Sequence, residues 1–148
     1  MTKEIINNLE ILRAVVEAQP ENLFDLGSFK KVEPCGTLFC TLGLACTMPH
    51  FQQMGLSLKY DENFKYFEAL VGDYSAYQSN EIDSIFGDNS FNYLFEPAGG
   101  SGVDDELGFD VDYEDYDDGD SVPQNMTDKT LALKRLDRQI NIYKGEQA

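Results

Sequence analysis

The chain has 148 residues, and its 27 Asp and Glu against 11 Lys and Arg give a formal charge of −16. A surface this negative repels phosphates and anionic membranes, so direct binding to nucleic acid or lipid is disfavoured and a partner with a basic surface is favoured. A hydrophobic content of 42% suits one folded core, so residues 1–148 are expected to form a single domain of undefined oligomeric state.

The start of the chain and its cysteines bear on the compartment. Met1 to Glu4 do not form the basic and then apolar regions of a secretory signal, and no apolar run approaches the roughly 20 residues that span a bilayer. Three cysteines is an odd number, which favours reduced thiols over a disulfide framework. We therefore expect a cytoplasmic protein.

The first half of the chain carries two helical patterns. Apolar residues at helical spacing predict an amphipathic helix over residues 2–18, which Pro20 terminates. After a turn at Pro34–Thr37, residues 38–48 are almost all apolar or small. A helix that is apolar on every side is buried, so this segment is predicted to be the central helix, ending at Pro49.

The remaining elements are shorter until the last one. We expect one extended segment around residues 56–60, a short helix over 62–71, one or two helices within 79–95, and a basic amphipathic helix that begins at Thr127 and ends near Tyr143. The fold class predicted from this order is mainly α, a small helical bundle with a short β element. An α+β fold is the alternative.

An acidic insertion is predicted at residues 97–123. Residues 97–102 have the composition of a flexible linker, and Asp104–Asp120 then contains ten acidic residues in seventeen. The whole stretch of residues 66–128 has seventeen acidic residues and no Lys or Arg. The final helix carries Lys134, Arg135 and Arg138, which could pair with the acidic residues from within the same molecule.

One segment resembles a known group of proteins. Cys35-Gly36-Thr37-Leu38-Phe39-Cys40-Thr41-Leu42-Gly43-Leu44-Ala45 is similar to the Cys-Gly-Thr-x-x-Cys-x-x-Gly-x-Ala hallmark of small phage and bacterial proteins that have no established activity. Leu44 stands where that group usually has an aromatic residue, and the acidic insertion is not part of its pattern. The resemblance implies a small, mostly helical, phage-encoded protein.

The cysteines and the single histidine allow two chemical interpretations. Cys35, Cys40, Cys46 and His50 have a spacing tolerated in three-cysteine, one-histidine zinc sites, and Cys35 with His50 could form a thiolate and imidazole pair. Cys40 and Cys46, however, are six residues apart in an apolar helix and face different sides of it. Core cysteines, with Gly36 and Thr37 forming a turn and a helix cap, are the simpler explanation, so no catalytic residue and no cofactor is expected.

The acidic tract does not match a calcium-binding loop. If Gly119 took the sixth position of such a loop, Tyr116 would take the third, which requires an oxygen ligand, and no Glu would stand at the twelfth. The tract is better described by alternation, because Phe109, Val111 and Tyr113 would lie on one face of an extended strand and the acidic residues on the other.

This alternation suggests an imitation of nucleic acid. Carboxylates on one face of a strand are roughly 6.5 to 7 Å apart, comparable to successive phosphates of DNA. The simpler alternative is a solvated loop that keeps the protein soluble, but such a loop has no need of aromatic residues. The residues predicted to bind the partner are Asp104, Asp105, Glu106, Phe109, Asp110, Asp112, Tyr113, Glu114, Asp115, Tyr116, Asp117, Asp118 and Asp120.

The function predicted from these features is non-catalytic. The chain is expected to bind and inhibit a host protein with a basic, nucleic-acid-binding surface, such as a defence nuclease or a transcription or replication factor. A zinc-binding module that uses Cys35, Cys40, Cys46 and His50 is one alternative. An assembly or scaffold protein whose contacts lie on the helices is the other.

Overall fold

The computed structural model describes residues 2–26, 29–33, 36–76, 80–96, 107 and 127–147. The α-helices of this part are α1 (Thr2–Ala18), α2 (Thr41–Cys46), α3 (Pro49–Gln52), α4 (Asn80–Phe86) and α5 (Asp128–Gln147), with a 3-10 turn at Glu21–Leu23 and a π-helical turn at Phe91–Phe95. The strands are β1 (Lys30–Glu33), β2 (Gly36–Phe39), β3 (Leu56–Asp61), β4 (Tyr66–Val71) and β5 (Tyr74–Ser75).

The two terminal helices form the helical layer. Arg13 contacts Asp137 at 2.6 Å and Glu10 contacts Lys144 at 3.1 Å, so α1 and α5 run antiparallel. Leu9, Leu12, Leu131 and Leu136 are fully buried at this contact. The predictions for residues 2–18 and for the last helix are confirmed, because the periodic apolar face of each helix finds its partner on the other.

The prediction of a mainly α bundle is wrong, because the fold is α+β. β1 pairs with β2, and β3, β4 and β5 form a second sheet in that order, with every pairing antiparallel. Residues 62–71, predicted as a helix, are a turn followed by β4. Leu56 pairs with Val71 and Asp61 with Tyr66, so the hairpin turns at residues 62–65, where Lys65 has a positive φ of 58°.

The central helix is shorter than predicted. Residues 36–39 form β2, and Cys40 caps the N-terminus of α2 by accepting a hydrogen bond at its Sγ from the Gly43 N–H at 3.3 Å. All six residues of α2 are buried, which confirms that this segment is central. α2 ends at Cys46, before the predicted end at Pro49, and Pro49 is instead the first residue of α3.

The core lies between the α1 and α5 pair and the second sheet. Phe51, Phe86 and Phe95 stack there in tilted and edge-to-face pairs, with ring centroids 5.1 and 5.3 Å apart. Gly43 lies against the backbone of Phe29, where a Cβ atom would be 1.7 Å from the Phe29 oxygen. Gly43 therefore fixes the approach of α2 to the chain that leads into β1. No helix among the described residues is both long and apolar enough to cross a bilayer.

Candidate functional site

The two described cysteines belong to the core. Cys40 and Cys46 are 1% and 3% exposed, and burial raises the pKa of each thiol to about 12. A thiol that holds its proton at neutral pH is neither a nucleophile nor a ready metal ligand. The Sγ of Cys40 is also engaged as the cap of α2.

His50 cross-links three helices. Its Nε2 lies 2.9 Å from Asn8 Oδ1, and the Asn8 amide donates to the Ile85 carbonyl oxygen at 3.0 Å. Because an amide oxygen only accepts, Nε2 is the donor and the imidazole acts as a structural link between α1, α3 and α4. Cys35 lies outside the described residues. Within the described part of the chain no three His, Cys, Asp or Glu side chains are grouped as a metal site requires, so the zinc alternative gains no geometric support.

Arg135 holds Glu96, the residue that precedes the acidic segment, against the core. The Arg135 side chain is 1% exposed, and its guanidinium donates to the carbonyl oxygens of Leu94 and Glu96. Those carbonyls lie at the end of the π-helical turn, where Leu94 is buried and Glu96 partly buried, and Arg135 supplies a donor to both. Burial raises the pKa of the Glu96 carboxyl, and the charge of Arg135 opposes this shift.

The residues that follow the acidic segment are held in place at the start of α5. The Asp128 carboxylate accepts a hydrogen bond from the Leu26 N–H at 3.0 Å, and the Thr127 hydroxyl accepts one from the Thr130 N–H at 3.1 Å. Thr127 is therefore the N-cap of α5, as its predicted role at the start of the last helix implies. Burial raises the pKa of Asp128, and the Leu26 N–H partly offsets that rise.

Two basic side chains of α5 contact a backbone carbonyl and an aromatic ring. Lys134 Nζ lies 3.5 Å from the Leu107 carbonyl oxygen, and the Arg138 guanidinium lies 5.2 Å from the centroid of the Tyr93 ring. Leu107 is itself partly buried against the core. Lys134, Arg135 and Arg138 thus each contact a part of the chain that precedes α5.

The residues predicted to bind the partner lie outside the described residues. Within residues 97–126 the structure describes Leu107, which lies between the two acidic runs. The predicted alternating strand and its carboxylate spacing therefore stay predictions. The residues concerned are Asp104, Asp105, Glu106, Phe109, Asp110, Asp112, Tyr113, Glu114, Asp115, Tyr116, Asp117, Asp118 and Asp120.

The structure adds a cleft of about 1020 Å³ that the sequence interpretation missed. It is lined by cationic and apolar side chains of β1, with the residue before it, and of the β3 and β4 hairpin with its turn. These residues are Phe29, Lys30, Lys31, Val32, Tyr60, Lys65, Tyr66 and Phe67. We call it the lysine–aromatic cleft. A signal for it was present, since Leu56, Leu58 and Tyr60 alternate as a strand does, but the assignment of residues 62–71 to a helix hid the second wall.

Comparison of the chain with protein-family models, with curated proteins and with solved structures gave no match. The resemblance of the Cys35–Ala45 segment to small phage and bacterial proteins therefore stays a prediction. The structure does give that segment a physical explanation. Cys40 caps α2, and Gly43 allows it to pack against Phe29.

Proposed function

We propose that this chain is a phage-encoded, non-catalytic protein that acts in the host cytoplasm, where it binds and inhibits a host protein whose own ligand is nucleic acid. The acidic residues of Asp104–Asp120 supply the contact by imitating the charge of a DNA strand. The observation that carries the proposal is that the residues on both sides of the acidic segment are held in place, Glu96 by Arg135 and Asp128 by the Leu26 N–H.

Held ends matter because a charged segment binds more tightly when it loses less conformational freedom on contact with its partner. Ordering a rotamer-rich side chain at an interface costs roughly 0.5 to 1.5 kcal/mol, and ordering the backbone adds to this cost. Partly buried hydrogen bonds at Glu96 and Asp128 fix the residues that flank the acidic segment before any partner arrives. The distance between the two residues from which the segment departs is therefore set by the fold.

The charge distribution supports the same function. Ten carboxylates within seventeen residues produce a local field that attracts a basic surface and accelerates its encounter with the chain. At physiological salt this field extends about 8 Å, so it acts mainly on a partner already close to the surface. A groove that normally binds nucleic-acid phosphates carries positive charge, so it is attracted to the carboxylates once it is within this distance.

Affinity capture from a host lysate tests the proposal. The immobilised protein is exposed to lysate at low and at high salt, beside the variant Asp110→Asn/Asp112→Asn/Glu114→Gln. Capture of a nucleic-acid-binding protein is expected at low salt, with strong loss at high salt and more than about tenfold weaker capture by the variant. A DNA duplex added to the lysate is expected to compete for the captured protein.

A matched control removes the same amount of charge elsewhere. Glu62, Asp73 and Asp88 are exposed and lie outside the acidic segment, so Glu62→Gln/Asp73→Asn/Asp88→Asn changes the net charge equally. This control is expected to capture the partner almost as well as the wild type. Equal losses in the two variants would show that total charge and not the segment is responsible, and the proposal would fail.

A further inference from the structure

The apolar inner face of the β3 and β4 hairpin continues beyond the core. At one end Leu56 and Val71 are paired and buried, with 1% and 7% exposure. Four residues further along the same face, Tyr60 pairs with Phe67 and is 47% exposed, with the two rings 5.1 Å apart. The hairpin is therefore longer than the core that it covers, and its far end presents aromatic side chains to the cleft.

The opposite wall of the cleft is cationic. Lys30 of β1 reaches across so that its Nζ lies 4.7 Å from the centroid of the Phe67 ring. Val32, two residues further along β1, is 66% exposed, and Lys65 borders the cleft from the hairpin turn. Val32, Tyr60 and Tyr66 all line the cleft and are 66%, 47% and 47% exposed, so together they form an exposed apolar patch of the kind that marks interaction sites.

We infer that the lysine–aromatic cleft is a second binding site, which takes a short acidic peptide of a partner protein in extended form. The carboxylates of the peptide pair with Lys30 and Lys65, and its apolar side chains pack on Val32 and Tyr60. The cleft has positive lysine side chains beside exposed apolar area. A ligand that alternates acidic and apolar residues can therefore pair with the lysines and pack on the apolar side chains. The inference does not depend on the proposed function.

Two observations favour a peptide over single-stranded nucleic acid. Bases bind such grooves by stacking on open aromatic faces, but Lys30 covers one face of Phe67, and Tyr60 meets the same ring in an edge-to-face contact. The chain also carries a charge of −16, which repels a long polyanion along its whole length. A short peptide with a few carboxylates interacts chiefly with the local lysines.

The inference is tested by fluorescence anisotropy with the full-length protein and a labelled peptide of sequence Leu-Glu-Ile-Asp-Leu-Glu, which alternates apolar and acidic residues and does not occur in this chain. Lys30→Gln/Lys65→Gln is expected to weaken binding about tenfold. The matched control is Lys3→Gln/Lys59→Gln, because both lysines are exposed and neither lines the cleft. This control is expected to leave binding within about twofold of wild type.

A second pair of variants tests the apolar wall. Tyr60→Ser removes a cleft ring and is expected to weaken peptide binding, whereas Tyr74→Ser removes a ring that is 75% exposed outside the cleft and is expected to leave it unchanged. Circular dichroism and thermal unfolding show whether each variant is folded. If the folded Lys30→Gln/Lys65→Gln variant binds the peptide as well as the wild type does, the inference is overturned.

Other occupants give different results in the same assay. A thymidine oligonucleotide that binds more tightly than the peptide would overturn the inference in favour of nucleic acid. Peptide binding that appears only after Asp110→Asn/Asp112→Asn/Glu114→Gln is introduced would also overturn it, because the cleft would then belong to the acidic segment of the chain itself. Saturable binding to the unaltered protein that is lost with Lys30 and Lys65 supports the inference.

Discussion

The guanidinium of Arg135 donates a hydrogen bond to the carbonyl oxygen of Glu96, the last described residue before the acidic segment. The contact joins the middle of α5 to the end of the π-helical turn. Arg135 is thus a buried cation that donates to the backbone carbonyls of Leu94 and Glu96. Its position makes the stability of the core and the placement of Glu96 depend on the same side chain.

Replacing Arg135 should therefore destabilise the fold. In Arg135→Met the carbonyl oxygens of Leu94 and Glu96 lose their donor in a buried place, and we expect a loss of about 2 to 3 kcal/mol in the free energy of unfolding, measured with urea. Lys144→Met is the control, because Lys144 forms an exposed ion pair with Glu10. Its loss should be within about 1 kcal/mol. Equal effects of the two substitutions would contradict the anchoring role.

Gly43 should tolerate no side chain. The Cβ atom of Gly43→Ala would lie 1.7 Å from the Phe29 oxygen, a backbone atom, so α2 or the chain before β1 must move. We expect destabilisation of about 3 kcal/mol or more, seen in urea unfolding. Gly145→Ala in α5 is the matched control, since nothing lies within 4 Å of its Cβ position, and helix propensity should leave it neutral or slightly stabilised. A stable Gly43→Ala protein would show that the contact with Phe29 is not tight.

The buried thiols should make the protein sensitive to alkali. Burial raises the pKa of Cys40 and of Cys46 to about 12 from an ordinary value of 9.0, so between these values the unfolded chain loses protons that the folded chain keeps. Stability is then fully present below pH 9.0 and is lost as the pH rises towards 12, by roughly 1 kcal/mol per pH unit for each thiol.

The variant Cys40→Ser/Cys46→Ala isolates this effect, because serine retains an oxygen that can cap α2 and neither residue titrates as a thiol does. Its free energy of unfolding should fall less steeply than that of the wild type between about pH 9 and pH 10.5, measured under reducing conditions. Between about pH 7 and pH 8 the free energy of unfolding should change with pH in the same way for the two proteins. Parallel curves over the whole range would mean that the thiols ionise equally in the folded and unfolded states.

The sequence predicts most accurately those elements whose pattern has one interpretation. The helical period of α1 and α5 leaves no alternative, and their ends follow from Pro20 and Thr127. Residues 62–71 have two interpretations. Phe64, Phe67 and Val71 fit a helix, while Phe67, Ala69 and Val71 fit a strand, and only the pairing of β4 with β3 decides between them.

The same reasoning explains the error at β2. Leu38 and Phe39 continue the apolar run of α2, so the sequence predicts one helix through both. Phe39 instead forms a parallel bridge with Phe24, and its carbonyl oxygen accepts a hydrogen bond from the Asp25 N–H at 3.0 Å. Such a partner is distant in sequence and leaves no local signal. The lysine–aromatic cleft was missed for the same reason, since it exists only where β1 meets the hairpin.

The central claim is that the acidic segment carries the binding function, and the salt dependence of affinity for the captured partner tests it most directly. Dissociation constants are measured by titration between about 50 and 300 mM salt, for the wild type and for Asp110→Asn/Asp112→Asn/Glu114→Gln. The predicted result is a wild-type affinity that falls steeply with salt and a variant that binds weakly with a shallower dependence. An affinity that is indifferent to salt and unchanged in the variant would contradict the claim.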